Sequence, residues 1–272
     1  MNGKLYVVGT PIGNLGDFSQ RALDVLREVD FIAAEDTRVT LKLLNHFDIK
    51  KEMISYFEHN KNSKGDVIIS RLLSGESCAV CTDAGMPAIS DPGEDLVREC
   101  HENGIEVESV PGPTAFATAL AISGMPSRRF TFEGFLSADK KERKAQLKEL
   151  INERRTMIFY EAPHKLVATL DDMLSAFGNR NVAVVKEITK IHESVFRTTL
   201  AEAVEAYKNE KPKGEFVIIV EGVADSTEEI TFERAVEMAR SLMQNGMSVS
   251  LAAKEIANST PYKKGDIYKA LL

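Results

Sequence analysis

The sequence lacks long hydrophobic runs and contains few cysteines. None of its 272 residues belongs to an apolar stretch that approaches the roughly 18 residues of a membrane-spanning helix. Met1–Lys4 leads directly into an apolar segment without a small-residue cleavage site, which disfavours secretion. Three cysteines cannot form the disulfide framework of a small secreted domain. We therefore expect a cytoplasmic protein without a membrane partner.

Metal-ligand patterns are also missing. Cys78 and Cys81 have C-x-x-C spacing but lie in a strand-like run, where side chains three positions apart point to opposite faces. No second cysteine pair completes a zinc site, and the five histidines show no H-x-x-x-H spacing. The sequence therefore predicts buried cysteines and no bound metal.

The net charge of −7 counts against a protein that coats nucleic acid non-specifically, although it leaves room for a local basic face. Residues 139–155 form such a stretch, with seven basic side chains against four acidic ones. Taken alone, this stretch is more typical of a solvated helix face than of a nucleic-acid site. If it does contact RNA, the expected residues are Lys140, Lys141 and Lys144.

An α/β domain with a parallel sheet is predicted for residues 1–124, where short apolar runs alternate with helical patterns. The predicted strands are Leu5–Val8, Phe31–Ala34, Cys78–Cys81 and Val107–Val110, and the predicted helices are Ser19–Val29, Leu41–Phe47, Val67–Leu73 and Glu94–Glu102.

A second α/β domain, with a mixed or antiparallel sheet, is predicted for residues 125–224. Pro163 and Gly178 mark the expected ends of one of its helices. The predicted strands are Phe130–Phe135, Met157–Tyr160, Val182–Val185, Ser194–Arg197 and Phe216–Val220, and the predicted helices span 140–153, 164–177 and 200–209.

A small helical appendage is predicted for residues 228–272. Ser248 is expected to cap its second helix, and Thr260-Pro261 to open its third. Short helices joined by a tight polar turn are similar to a helix-turn-helix, in which Lys263 and Lys264 could contact RNA. A trihelical unit that only packs or dimerises fits the pattern equally well.

Glycine, proline and acidic residues follow each predicted strand of the first domain. The four loops are Gly9–Gly16, Glu35–Arg38, Asp83–Pro87 and Pro111–Ala115. They meet at the carboxyl ends of parallel strands, where open sheets bind their ligands. Together they predict a binding site at this edge.

The loops do not match the common nucleotide-binding or hydrolase fingerprints. There is no G-x-x-x-x-G-K-[ST] and no G-x-S-x-G, and the glycines at 9, 13 and 16 do not form G-x-G-x-x-G. A ligand with adenine, ribose and an amino-acid tail but no phosphate suits such an edge. S-adenosylmethionine is a ligand of this kind.

Eight motifs then occur in order along nearly the whole chain. Together they resemble the successive signatures of the ribosomal RNA small subunit methyltransferase I family, a branch of the tetrapyrrole methylase superfamily. The motifs are Gly9-Thr-Pro-Ile-Gly-Asn-Leu, Ala34-Glu-Asp-Thr-Arg38, Asp83-Ala-Gly-Met-Pro with Ser90-Asp-Pro-Gly93, Val110-Pro-Gly-Pro113, Glu133-Gly-Phe-Leu136, Phe159-Tyr-Glu-Ala-Pro-His164, Lys186-Glu-Ile-Thr-Lys190 and Lys213-Gly-Glu-Phe-Val217.

The resemblance implies a reaction, a cofactor and an assembly. A homodimer would use S-adenosylmethionine to methylate the ribose 2′-hydroxyl of a decoding-centre cytidine, position 1402 of 16S rRNA, in the 30S subunit. Met86 stands where many relatives have a smaller polar residue, a change that methionine can accommodate. The implied cofactor-binding residues are Pro11, Asp83, Ala84, Gly85, Met86, Pro111, Thr114, Ala115, Tyr160, Phe216 and Val217.

Methyl transfer to a ribose hydroxyl needs alignment, and a base or cation near the hydroxyl would help. Lys186 and Glu187 lie in an otherwise apolar strand pattern, where unpaired charge is costly, so we predict them as the catalytic pair together with Arg38. Glu35, Asp36, Glu133 and Glu161 are further candidates, and for each of these charges an ion pair is the competing role.

Two other functions remain open at this point. A methyltransferase for a small acidic tetrapyrrole would fit the same superfamily, although the basic stretch and the helical appendage favour RNA. A non-enzymatic ribosome-binding factor would rest on the helix-turn-helix pattern alone and would leave the four edge loops unexplained.

Overall fold

The computed structural model describes residues 2–91, 93–223, 231–244 and 246–272. The chain divides into a larger unit that ends at Val223 and a smaller one that begins at Ala224, and each is described separately. The predicted α/β class with a helical appendage is confirmed. The predicted domain boundaries stay predictions, and the start of the segment 228–272 lies outside the described residues. Across the described ranges, no helix is long and apolar enough to cross a membrane.

The first sheet of the larger unit has five parallel strands in the order β3-β2-β4-β1-β5. Leu5 in the central strand pairs with Cys78 on one side and Val107 on the other. The parallel sheet is therefore as predicted. Its strands are β1 (Lys4–Val8), β2 (Phe31–Ala34), β3 (Glu52–Ser55), β4 (Cys78–Cys81) and β5 (Glu106–Val110).

Helices follow the strands of this sheet, and their starts are capped by local side chains. The Ser19 hydroxyl accepts a hydrogen bond from the Ala22 amide at 3.1 Å, and the Asp36 carboxylate accepts one from the Arg38 amide at 2.8 Å. A 3₁₀ turn, Leu15–Asp17, lies between β1 and the first helix. The helices are α1 (Gln20–Glu28), α2 (Thr37–His46), α3 (Lys61–Leu73), α4 (Gly93–Glu102) and α5 (Ala115–Ser123).

The cysteines occupy both hydrophobic cores of the first sheet. Cys78 packs with Leu5 in one core, and Cys81 packs with Val8 in the other. Both thiols are buried and unpaired, and burial raises the pKa of Cys81 to about 12. The prediction of buried cysteines on opposite faces is confirmed.

Two elements of this half were not predicted. The edge strand β3 carries half-exposed residues and no apolar run, so its sequence has no strand pattern. Helix α5 is apolar on every side and therefore has no amphipathic stripe. It is apolar because it packs on the second sheet, where Ala119 and Leu120 join a core with Ile158 and Ile219.

The second sheet has mixed strand directions, as predicted, in the order β6-β7-β10-β8-β9. β6 and β7 are parallel, and the other neighbours are antiparallel. Three helices, α6 (Lys140–Glu149), α7 (Leu166–Phe177) and α8 (Leu200–Lys208), accompany it. Its strands are β6 (Phe130–Phe135), β7 (Thr156–Glu161), β8 (Asn181–Lys186), β9 (Ser194–Thr199) and β10 (Phe216–Val220).

Helix α7 begins two residues later than the predicted 164. Pro163 does not occupy the first helical position, because residues 162–165 form a turn in which the Lys165 amide donates to the Ala162 carbonyl at 3.0 Å. The helix begins at Leu166 and ends before Gly178, whose φ of 73° is readily adopted by glycine. The turn leaves Pro163 in the loop after β7.

The smaller unit consists, in its described part, of α9 (Phe232–Gln244), α10 (Val249–Ser259) and α11 (Lys264–Leu271) around a core that includes Ala239, Ala252 and Ile267. Ser248 is the N-cap residue of α10, as predicted, although its side chain makes no capping bond. The predicted start of the third helix at Thr260-Pro261 is wrong, because α11 begins at Lys264. The Thr260 hydroxyl instead donates to the Ile256 carbonyl at 2.7 Å and so closes α10.

Candidate functional site

The loops after β1 and β5 are in direct backbone contact at Gly9 and Gly112. A Cβ on Gly9 would lie 2.6 Å from Gly112 Cα, and a Cβ on Gly112 would lie 2.8 Å from the Gly9 carbonyl oxygen. Only glycine fits at both positions. Next to this contact, the Thr10 amide donates to the Gly85 carbonyl at 2.9 Å and the Gly85 amide to Thr10 at 3.2 Å. Three predicted edge loops are thereby joined.

A cavity of about 390 Å³ lies between these loops and the second sheet. The loop after β4 contributes Ala84–Met86 and Ile89–Asp91, and the loop before α5 contributes Thr114 and Ala115. Opposite them lie residues at one edge of the second sheet. The residues from the first loop and the second sheet are Ile12, Phe135, Tyr160, Glu161, Ala162, Pro163, Ile188, Glu215, Phe216 and Val217.

Tyr160 connects the two walls of this cavity. Its hydroxyl accepts a hydrogen bond from the Phe116 amide in α5 at 3.1 Å. Its ring lies 4.9 Å from the Phe132 ring and 5.4 Å from the Phe135 ring, centroid to centroid. Burial raises the pKa of the phenol, so Tyr160 stays neutral and presents an apolar ring with a fixed polar end.

A second contact between the two sheets lies at the bulge of β6. The pairing of β6 with β7 shifts between Phe132 and Gly134, and Gly134 adopts a φ of 65°. A Cβ on Gly134 would lie 3.2 Å from the Ser90 hydroxyl oxygen, so the loop after β4 packs closely on the bulge. The bulge thereby brings Ser90 and Phe135 to the same cavity.

Among the carboxyl groups on the cavity wall, Asp91 has the most strongly shifted pKa. Burial, together with the nearby Glu35 charge, raises its pKa from 3.8 to about 6, against the opposing effect of a hydrogen bond with Thr82. Burial and Glu35 also raise the pKa of Asp83. Because these carboxyls share a confined edge, a cation bound there would be stabilised by them.

Asp83 itself lies beside the cavity rather than on its wall. The Asp83 carboxylate accepts from the Asp36 amide at 3.2 Å, and the Asp83 amide donates to Glu35 at 3.3 Å. The Thr82 hydroxyl also donates to Glu35, at 2.5 Å. These bonds join the loops after β2 and β4, so Asp83 holds the backbone that presents Ala84 to the cavity.

The predicted cofactor residues separate into two groups. Ala84, Gly85, Met86, Thr114, Ala115, Tyr160, Phe216 and Val217 line the cavity. Pro11 and Asp83 each precede a lining residue, and Pro111 lies on a neighbouring cavity. Glu161, one of the further catalytic candidates, also lines the cavity. The motifs that the sequence analysis quoted contain other lining residues that were not predicted, namely Ile12, Ser90, Asp91, Phe135, Ala162, Pro163, Ile188 and Glu215.

The predicted catalytic residues lie off the cavity wall. Arg38 is 86% exposed at its side chain and pairs with Asp36 at 2.6 Å, which lowers the pKa of Asp36 to about 2. Glu187 accepts from Lys190 Nζ at 3.0 Å and from the Glu215 amide at 2.9 Å, so it anchors the loop before β10. Lys186 is the last residue of β8 and pairs with Phe216. Their catalytic roles stay predictions.

The predicted RNA-binding lysines differ in their surroundings. Lys140 and Lys141 are exposed at the start of α6, and no ion pair involves them within the described part of the chain. Lys144 Nζ lies 3.9 Å from Asp172. In the smaller unit, Lys263 is exposed and Lys264 Nζ donates to the Ser250 hydroxyl at 3.1 Å. No cluster of three or more His, Cys, Asp or Glu side chains within these described ranges could hold a metal ion.

Comparison with known proteins identifies the family. Residues 4–204 match the family model of the Tetrapyrrole (Corrin/Porphyrin) Methylases. A Synechocystis protein named ribosomal RNA small subunit methyltransferase I is 43% identical over 272 residues, covering 99% of this chain and 98% of its own. A Thermotoga maritima protein of the same name is 48% identical over 220 residues, covering 81% of this chain and 99% of its own.

A solved structure shares the fold at lower sequence similarity. Uroporphyrin-III-C-methyltransferase from Thermus thermophilus superposes with a TM-score of 0.57 at 20% identity, covering 80% of this chain and 94% of its own. This likeness establishes the fold alone, whereas the curated relatives match along almost the whole sequence. The chain therefore belongs to the tetrapyrrole methylases and, within them, to the ribosomal RNA small subunit methyltransferase I family.

Proposed function

We propose that this protein uses S-adenosylmethionine to methylate the ribose 2′-hydroxyl of the decoding-centre cytidine at position 1402 of 16S rRNA. The observation that carries the proposal is the near-full-length similarity to relatives named for small-subunit rRNA methylation. We further propose that it acts in the cytoplasm, as a homodimer, on the 30S subunit.

The cavity between the sheets suits S-adenosylmethionine in size and in charge. Its volume of about 390 Å³ falls within the range of small-molecule sites. The described lining contains the carboxyl groups of Asp91, Glu161 and Glu215 but neither lysine nor arginine. A ligand that carries a sulfonium and an ammonium group fits this charge, whereas a nucleoside phosphate would meet no cation.

Individual residues have distinct tasks in this proposal. Gly85, with a φ of 94°, lets the backbone of the loop after β4 lie close to a ligand, and Ala84 and Ala115 add little bulk. Tyr160 and Phe135 supply aromatic surface. With a pKa of about 6, Asp91 is ionised at neutral pH and attracts the cationic end of the ligand.

The apolar part of the wall excludes water from the reacting groups. Ile12, Ile188 and Val217 are buried and belong to one core at the base of the cavity. S-adenosylmethionine, when bound, supplies an activated methyl group with a good leaving group. The protein must then mainly hold the acceptor hydroxyl in line and keep competing water away.

Methyl transfer to ribosomal particles tests the proposal directly. Tritiated S-adenosylmethionine is incubated with the protein and with 30S subunits that lack the modification, with free 16S rRNA, or with uroporphyrinogen, and the labelled nucleoside is identified. We expect 2′-O-methylcytidine from the 30S subunits. Labelling of uroporphyrinogen without labelling of RNA would replace the RNA substrate with a tetrapyrrole.

A further inference from the structure

The cavity between the two sheets has a buried base and an open rim. Ile12, Ile188 and Val217 at the base are buried, whereas the lining also includes two large apolar side chains, Ile89 and Phe135, that are 42% and 61% exposed. Exposed apolar side chains are ordinary when they are scattered, but two on one cavity form an apolar opening. An acceptor must enter through such an opening, because methyl transfer requires direct contact between the acceptor oxygen and the methyl carbon.

The bulge in β6 is the reason why an aromatic side chain reaches this rim. In a regular strand, side chains three positions apart point to opposite faces, so Phe132 and Phe135 would lie on different sides of the sheet. The bulge adds one residue between them, so that Phe132 pairs with Ile158 and Phe135 pairs with Tyr160, only two positions further along β7. Phe132 and Phe135 therefore share the face on which Tyr160 lies.

Phe135 is the outer end of a row of four aromatic rings. The ring centroids are 4.6 Å apart between Phe116 and Phe132, 4.9 Å apart between Phe132 and Tyr160, and 5.4 Å apart between Tyr160 and Phe135. The first three rings are half-buried, and the fourth has more than half of its surface open. The inner rings therefore support Phe135 on one side and leave room for another flat ring to pack on it.

The chain that follows Phe135 is held in place by buried contacts. Leu136 packs in the core on the other face of the second sheet. The Ser137 carbonyl accepts a hydrogen bond from Arg143 at 3.2 Å, and the Ser137 amide donates to the Gln146 side chain at 2.9 Å. A side chain on such a fixed segment loses little conformational freedom when a ligand packs on it, which favours binding.

Basic side chains lie outside the cavity but close to Phe135 along the chain. The described lining contains neither lysine nor arginine, whereas Lys140 and Lys141 are exposed at the start of α6. Lys140 follows Phe135 by five positions, so the two Cα atoms lie at most about 18 Å apart. This arrangement suits a nucleotide chain, with a base at the apolar rim and its phosphates near the lysines.

We propose that Phe135 stacks on the base of the acceptor nucleotide at the rim of the cofactor cavity and thereby brings its ribose hydroxyl to the methyl group. Proteins that recognise unpaired RNA bases commonly combine an aromatic platform with nearby cations. The cofactor is a less suitable partner for Phe135, because small-molecule sites enclose most of the surface of their ligand and this ring lies at the open rim. The inference rests on the proposed function, since it places the substrate of the same reaction.

Three substitutions at this position test the stacking. Phe135→Tyr keeps the aromatic face, Phe135→Leu keeps only apolar bulk, and Phe135→Ala removes both. With S-adenosylmethionine at a saturating concentration, we expect Phe135→Ala to lower kcat/KM for 30S subunits by about tenfold, a typical effect of removing an aromatic ring from a base. Phe135→Leu should lose nearly as much, and Phe135→Tyr should stay within about twofold of the unchanged protein.

The matched control is a phenylalanine at the other end of the same strand. Phe130 is 40% exposed and is not among the residues that line the cavity. We expect Phe130→Ala to retain its kcat/KM within about twofold, as for a surface position without a substrate contact. Unchanged kcat/KM in Phe135→Ala, or an equal loss in both alanine variants, would overturn the stacking proposal.

A fluorescence measurement identifies the molecule that packs on the ring. The sequence contains no tryptophan, so Phe135→Trp introduces a single indole fluorophore at the rim. We expect 16S rRNA to quench its emission, because stacking on a base quenches indole fluorescence, and S-adenosylmethionine alone to leave it nearly unchanged. Quenching by the cofactor alone, or no quenching by an rRNA that this variant methylates, would overturn the proposal.

Further outcomes separate this proposal from other roles of Phe135 and from the proposed function. A loss of activity in Phe135→Ala that disappears at a saturating cofactor concentration would assign the ring to the cofactor. A changed oligomeric state in sedimentation would assign it to a contact between subunits, and either result overturns the stacking. If the unchanged protein methylates no RNA, the proposed function itself fails. If the unchanged protein and Phe135→Ala methylate RNA equally well, only the stacking fails.

Discussion

Arg143 and Asp172 form a buried ion pair between α6 and α7. The Arg143 side chain donates through Nε at 2.9 Å and Nη2 at 2.7 Å to the same Asp172 oxygen, and the two side chains are only 9% and 8% exposed. Arg143 Nη1 also donates to the Ser137 carbonyl at 3.2 Å. One of the seven basic residues of the 139–155 stretch is therefore part of the core and not available to RNA.

Removing one partner of this pair should be strongly destabilising. Arg143→Ala leaves the buried Asp172 carboxylate without its hydrogen-bonded partner and with only the Lys144 ammonium group, 3.9 Å away, so we expect a loss of about 3–5 kcal/mol in the free energy of unfolding. Urea denaturation followed by circular dichroism measures it. Lys148→Ala, at an exposed position of the same helix, should change stability by no more than about 0.5 kcal/mol. Similar small losses in both variants would show that the pair contributes little.

The raised pKa of Asp91 should make cofactor affinity depend on pH. Above its pKa of about 6 the carboxylate attracts a cationic ligand, and below that value the neutral acid does not. We therefore expect the affinity for S-adenosylmethionine to rise as the pH increases from 5 to 7. Asp91→Asn should weaken binding at pH 7 and flatten this dependence, although Glu35 and Asp83 still face the same edge. Calorimetry across this range measures both effects.

Ionisation of Asp91 should lower the stability of the folded protein, whereas it raises the affinity for the cofactor. Because the folded-state pKa of Asp91 lies above its ordinary value of 3.8, its stabilising contribution is full below pH 3.8 and is lost as the pH rises through about 6. At pH 7 the free protein should therefore gain stability in Asp91→Asn while it loses cofactor affinity. Asp171→Asn, an exposed carboxylate of α7, is the control. Equal thermal midpoints and equal affinities for Asp91→Asn and the control would contradict this account.

Salt dependence should identify which lysines contact RNA. Lys140 and Lys141 begin α6, shortly after Phe135 reaches the cavity, whereas Lys148 lies near the other end of the helix. We expect Lys140→Glu with Lys141→Glu to reduce the slope of log affinity against log salt by about 0.7–0.9 for each phosphate that is no longer neutralised. Cofactor affinity should not change.

The matched control for the lysines is Lys148→Glu, which alters charge on the same helix. Filter binding to 30S subunits at several salt concentrations gives the slopes. If the double variant and the control have the slope of the unchanged protein, the stretch is a solvated helix face and makes no RNA contact. Lys144→Glu should have a smaller effect than Lys140→Glu, because Asp172 lies 3.9 Å from its ammonium group.

Removal of the smaller unit should separate cofactor binding from RNA methylation. A chain that ends at Val223 keeps every described lining residue of the cavity between the two sheets. The Thermotoga maritima relative, of which 99% aligns with 81% of this chain, is itself about a fifth shorter. We expect unchanged affinity for S-adenosylmethionine and reduced methylation of 30S subunits. Full methylation by the shortened chain would leave α9–α11 without a role in RNA binding.

The sequence by itself determined the strands and the edge at which the site lies. Apolar runs such as Phe31–Ala34 form buried strands of a parallel sheet. Because the glycine-rich loops follow these strands, they meet at the carboxyl edge of the sheet. The family resemblance, rather than strand geometry, supplied the eight implied cofactor residues that line the cavity, and five of them lie in loops at this edge. The burial of Cys78 and Cys81 on opposite faces follows from strand geometry alone.

Only the tertiary structure decided the roles of the charged residues. Within one helix, Arg143 is buried by a partner 29 positions away while Lys140 stays exposed, and no local pattern distinguishes them. Asp91 acquires its raised pKa from burial and from Glu35, which belongs to a different strand end. Glu187 is directed to the Glu215 amide rather than to a cavity. Burial and charge depend on which distant segments are packed together, and the spacing of residues along the chain does not contain that information.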